Sequence, residues 1–166
     1  MSITLLIVIV TAAISIAAFQ NQELNYRLIF NPYKTEKDRE WYRFITAGFI
    51  HADWIHLFFN MFVLYEFGRI VETYFEGMNF LLPKFNFLFM YLLTIVLAHM
   101  RTFFKYRDAS FYNSLGASGG VSGVLFAFVV FEPLAKIAPY GISFLSLPSI
   151  VWGVAYLFYS TYMSKK

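Results

Sequence analysis

The chain has 166 residues, 59% hydrophobic and 22% aromatic, and only 14% charged, where a soluble domain carries about 25% charged residues. Twenty-one Phe and twelve Tyr exceed what one small soluble core hides, so the composition points to an integral membrane protein. The formal charge of +3 is scattered among loops, which excludes a nucleic-acid stripe, and the lack of cysteine excludes disulfides, thiolate nucleophiles and cysteine-bound zinc.

Ser2 to Phe19 is apolar and uncharged. No basic segment precedes it, and Ala17-Ala18-Phe19 is a poor cleavage site, so it is expected as a retained first transmembrane helix. Residues 20–53 form a long connection with the turn signal Asn31-Pro32, a charged run from Lys34 to Glu40, and Trp41-Tyr42-Arg43. Its aromatic residues suit the membrane interface. Asp53 is expected to cap a second helix from Trp54 to about Phe75.

That helix is apolar from Leu57 to Tyr65 yet carries His56, Asn60, Glu66, Arg69 and Glu72. The spacing of the last three fits local ion pairing and interhelical hydrogen bonds better than a channel lining. A third span is expected over Phe85–Met100, with Pro83 tolerated in its first turn, and then a polar loop from Arg101 to Ser114. Leu115 to Phe131 is a short, glycine-rich fourth span. Glu132 to Pro148 is read as a loop whose stretch Gly141 to Leu147 dips into the interface, and Ser149 to Met163 as the fifth span. No internal repeat occurs. The reading is one all-α domain over residues 1–166, a polytopic bundle of five transmembrane helices.

Two polar clusters interrupt the apolar pattern. His56 and Asn60 are four apart and share a helix face. They can act as oxyanion donors, each worth about 2.7–4 kcal/mol in acyl transfer, or as hydrogen-bonding glue between helices. In Gly116-Ala117-Ser118-Gly119, the serine sits near a helix start, where the dipole favours an alkoxide or a tetrahedral intermediate. The alternative is packing, because Gly116/Gly120 and Gly119/Gly123 are both small-xxx-small pairs. Ser122 repeats the pattern one turn deeper and is the decoy. The stretch also satisfies Gly-x-Ser-x-Gly, but no strand precedes it, which rules out a soluble α/β-hydrolase elbow.

Trp41-Tyr42-Arg43, Thr46, Phe49, the run His51-Ala-Asp-Trp-Ile-His56-Leu-Phe-Phe-Asn60-Met61, Phe67-Gly68 with Glu72, and the later Gly116-Ala117-Ser118-Gly119 together resemble the rhomboid intramembrane proteases. The resemblance runs from Trp41 to the end of the chain. It implies a six-helix core, of which five are present here, with residues 20–53 as the interfacial first loop. Ser118 would be the nucleophile, His56 and Asn60 with the Ser118 backbone N–H the oxyanion hole, and His51, Gly116 and Gly119 supporting residues. Substrates would be transmembrane segments of other proteins within the lipid bilayer, with no metal, cofactor or nucleic acid, in the plasma (inner) membrane. A cytoplasmic N-terminus is implied, whereas the distribution of Lys and Arg favours the opposite orientation.

One departure stands out. The family takes its general base from a histidine on the sixth helix, and this chain has only His51, His56 and His99. His99 matches no catalytic position of the family. Without a base a serine is a weak nucleophile, so the chain as written, C-terminally incomplete against the family, is expected to bind substrate segments better than it cuts them. A non-catalytic relative that binds membrane helices is the alternative.

Overall fold

The computed structural model describes residues 2–78, 81–138 and 146–163. The chain folds as α1 (Ile3–Gln20), α2 (Gln22–Leu28), α3 (Pro32–Lys37), α4 (Arg43–Thr46), a 3-10 turn (Ala47–Phe49), α5 (Trp54–Gly77), α6 (Pro83–Tyr106), α7 (Ser118–Phe131) and α8 (Ser149–Met163). A two-residue pair, β1 (Lys136–Ile137) and β2 (Leu147–Pro148), runs antiparallel with Lys136 opposite Pro148.

Local chemistry sets most helix starts. Ser2, Asn21, Asn31 and Asp53 each accept a backbone N–H from the first turn of the next helix. Pro32 and Pro83 occupy first turns, where a missing N–H costs nothing. The start at Trp54 and the whole of α8 agree with the sequence pattern. Two expected boundaries do not. The third span runs on to Tyr106 instead of ending at Met100, because Phe103 continues the buried stripe Phe87, Tyr91, Ile95 and His99 at four-residue spacing. The fourth helix begins at Ser118 instead of Leu115, because Gly116 has φ +117°, which a right-handed helix does not admit. The expected loop at Gly141 to Leu147 lies outside the described residues up to residue 145, and Leu147 itself is in β2.

Helix α7 is the hub, packed by α5, α6 and α8. Its glycines let α6 come close: a Cβ on Gly119 would stand 2.5 Å from Ala98 Cβ, and one on Gly123 2.6 Å from the Thr94 side chain. The main core gathers Leu64 and Val71 of α5, Tyr91 and Ile95 of α6, Val121, Val124 and Leu125 of α7, and Tyr156 of α8. The surface between helices is apolar, with Ile9, Phe89, Leu97 and Phe158 turned outward. By length and composition, α1 and α6 can each cross a membrane, and α4 with the 3-10 turn and α5 qualifies as one span bent by 96°. The other two expected spans exist as helices but are shorter, α7 with 14 residues and α8 with 15.

The long connection is folded rather than loose. Arg43, 2% exposed, donates to Glu40 Oε2 (2.6 Å), to Tyr26 O (2.8 Å) and to Ile29 O (2.6 Å). Phe30, Phe44, Ala47 and Phe103 form a second apolar cluster that fixes this segment on α6. Phe30 and Ser114 exchange backbone hydrogen bonds of 3.0 and 2.9 Å, and Asn31 Nδ2 donates to Ser110 O (3.0 Å). The first connection therefore holds the loop that leads into α7.

Candidate active site

Ser118 opens α7 and is half-buried. The N-cap, Ala117, offers no side-chain acceptor, and the first helical bond runs from Val121 N–H to Ala117 O (2.9 Å). The N–H groups of Ser118, Gly119 and Gly120 thus have no partner among the described residues and lie at the positive end of the helix dipole. Such donors suit an oxyanion.

Gly116 sets the approach. Its N–H donates to Ala47 O (2.9 Å), and a Cβ there would stand 2.8 Å from His56 Cε1. Only glycine accepts both this φ and this contact. His56 lies in the first turn of α5, held by its own N–H bond to Asp53 Oδ1 (2.7 Å). Its ring is buried, and its Nδ1 has no partner among the described residues. Ser118, His56, Gly116 and Gly119 border one polar cavity of about 340 Å³, together with Thr102, Tyr112 and Ser160.

His51 supports this arrangement from behind. It stands on the loop between the 3-10 turn and α5, fully buried, edge-on to the His56 ring with centroids 4.9 Å apart. Ala117 N–H donates to His51 Nε2 (3.3 Å). A backbone N–H only donates, so Nε2 holds the lone pair and Nδ1 the proton. Nδ1–H then donates to Ser15 Oγ (2.9 Å), whose own O–H donates to Phe49 O (2.9 Å). Burial first, and His56 second, push the His51 imidazole down to about 3, while Asp53 opposes this, so it is neutral at pH 7. Both ring nitrogens are occupied, which ties α1 and the 3-10 turn to the residue preceding Ser118.

Asn60 is placed differently from the other predicted residues. It is fully buried one turn below His56 and does not border the Ser118 cavity. Its Nδ2 donates to His56 O (2.8 Å), and its Oδ1 accepts from the Tyr156 hydroxyl (2.8 Å). One amide N–H remains to be used. Ser122 does not border the cavity either.

His99 borders the cavity, a position that the motifs do not signal. Its Nδ1–H donates to Ile95 O (2.9 Å), leaving the lone pair on Nε2, and its ring packs on Phe30 at 4.6 Å. The four-residue stripe from Phe87 to Phe103 is its only mark in the sequence. Among the described residues Ser118 makes no hydrogen bond to any histidine.

The family model described as Rhomboid domain matches residues 38–165. The chain belongs to the rhomboid family. A relative, rhomboid-like protein 11, chloroplastic, of Arabidopsis thaliana, is 44% identical over 91 residues. That stretch covers 54% of this chain and 29% of the relative. Membership in the rhomboid family and the outward-facing apolar helices together make this a membrane protein.

Proposed function

We propose that the protein is an intramembrane serine endopeptidase acting on transmembrane segments of other proteins, with five crossings in residues 1–166. The observation that carries this reading is the meeting of Ser118, its unpartnered helix-start N–H groups and the buried His56 at one polar cavity inside an apolar bundle. Ser118 Oγ would attack the substrate carbonyl and pass its proton to a base. The oxyanion would be held by the Ser118 N–H and by His56, with Asn60 contributing if its remaining N–H reaches it. Collapse would return the proton to the leaving amine, and water would then release the acyl group. His51 cannot be the base, since both of its nitrogens are engaged. The resemblance places that base on a further helix. The plasma membrane is the setting we propose.

The test is hydrolysis of a labelled transmembrane substrate by the protein in liposomes. Ser118→Ala is expected to lower the rate by at least about a thousandfold, and Ser122→Ala to leave it within a few-fold. Activity that survives Ser118→Ala overturns the assignment. A second reading, a rhomboid relative that binds membrane helices without cutting them, is favoured by the lack of a histidine bonded to Ser118. Substrate binding with no serine-dependent hydrolysis would select it.

A further inference from the structure

Tyr156 packs into the main core from α8, and its hydroxyl meets Asn60 Oδ1 of α5 at 2.8 Å in the buried interior. The other end of the amide settles which group donates. Asn60 Nδ2 donates to His56 O (2.8 Å), and a carbonyl oxygen only accepts. That corner is therefore the nitrogen, the opposite corner is the oxygen, and the Tyr156 hydroxyl is the donor. An amide held at both corners does not turn over. The reversed orientation would set its oxygen against His56 O, two acceptors with no hydrogen between them. One Nδ2–H is left, buried and with no acceptor among the described residues.

Of the three groups proposed for the oxyanion, this one alone takes its aim from a side chain of another helix. The Ser118 N–H is fixed by the backbone of α7. The His56 ring is set between Gly116 and the edge of His51. Asn60 stands one turn below His56 and outside the cavity, so its donor serves the reaction only if the side chain keeps one orientation. A buried donor without an acceptor is costly at rest and gains a partner when negative charge develops beside it, so it favours the transition state over the bound substrate. We propose that Tyr156 is a positioning residue of the oxyanion hole: by holding Asn60 Oδ1, its hydroxyl directs the remaining Nδ2–H at the oxyanion formed on attack by Ser118. The proposal rests on the protease reading for the reaction, and on the two hydrogen bonds alone for the hold on the amide. Phenylalanine would fill the same volume in the core, so only the hydroxyl carries the role.

The test is steady-state hydrolysis of a labelled transmembrane substrate in liposomes, with Tyr156→Phe and Asn60→Ala made singly and together. Asn60→Ala is expected to lower kcat about a hundredfold, the loss that follows removal of one oxyanion donor. Tyr156→Phe is expected to lower kcat about tenfold with KM within about twofold, because the bond it aims is made in the transition state. In the Asn60→Ala background, Tyr156→Phe should change kcat by less than about twofold. A role confined to packing would lower kcat in both backgrounds. That outcome overturns the proposal, as does an unchanged kcat or a rise in KM alone in the single variant. A second readout needs no activity. In protein carrying isotopically labelled asparagine, the side-chain amide pair of Asn60 is identified by its loss in Asn60→Ala, and Tyr156→Phe should shift and broaden that pair in the NMR spectrum. An unmoved pair overturns the proposal as well. Should the pair respond while the unaltered protein never hydrolyses a substrate, the protease reading falls and the hold of Tyr156 on Asn60 stands.

Discussion

At Gly116 a left-handed backbone and the His56 ring compete for the same space: φ is +117°, and the nearest ring atom would be 2.8 Å from a Cβ. Gly116→Ala is therefore expected to cost about 1–3 kcal/mol and to displace His56 or the loop. Loss of hydrolysis beyond the loss of folded protein in the same detergent checks it. His51 gives a second prediction at this scale. Its folded pKa of about 3 lies below the ordinary 6.5, so at intermediate pH the unfolded chain binds a proton that the folded one refuses. The stability this residue contributes is present above pH 6.5 and declines as pH falls from there toward 3. The cost of His51→Gln, measured by unfolding in mixed micelles, should be largest at pH 7 and smaller at pH 4.5. A cost that does not change with pH would show that the neutral imidazole is not what links Ser15 to Ala117.

Among the elements, α1 and α5 are joined by Glu72, which accepts from Ser2 Oγ (2.6 Å), Ile3 N–H (2.7 Å) and Thr4 N–H (3.1 Å). A carboxylate from one helix thus caps the start of another, where the dipole favours negative charge. Glu72→Leu leaves these donors unsatisfied, and the cost is expected at about 1–3 kcal/mol, seen as faster hydrogen exchange confined to the first turn of α1. The α6–α7 contact depends on small residues. A Cβ on Gly119 would meet Ala98 Cβ at 2.5 Å, and neither atom has room to rotate away. Gly119→Ala is expected to separate the helices at a cost of about 1–3 kcal/mol, lowering the unfolding midpoint and the hydrolysis rate together.

For the whole molecule, the order of the helices places residues 21–53 and the loop before Ser118 at one end of the bundle and the α5–α6 and α7–α8 turns at the other. Because the chain has no cysteine, single introduced cysteines can report the sides. Five crossings predict that cysteines at Glu36 and Asp108 react with an impermeant reagent from one side of a sealed vesicle, and those at Glu76 and Lys136 from the other. Labelling of Lys136 and Asp108 from the same side would mean that α7, with its 14 residues, does not cross.

Much of this is local and legible in the residues themselves. Composition identifies the solvent, Asp53 caps α5 within three residues, Pro83 starts α6, and the glycines around Ser118 announce close packing, because propensity, capping and apolar run length act over a few residues of chain. The end of the third helix is misread from sequence because the polar residues after Met100 conceal that Phe103 still lies on the buried stripe. Partner choice is not legible at all. Of the ion pairing and interhelical hydrogen bonds expected around Glu66, Arg69 and Glu72, Glu72 does bond across to the start of α1, whereas Arg69 bonds Tyr65 on its own helix in place of an ion pair. Asn60 spends its oxygen on Tyr156, 96 residues away, and His51 joins Ser15 to Ala117. His99 reaches the serine cavity although no motif includes it. By itself the sequence determined the membrane class, the order of the helices and which polar residues must be accommodated among them. Only the tertiary structure decided which polar groups meet, because a helix face is encoded by local period, while its neighbour is chosen by packing between segments far apart in the chain.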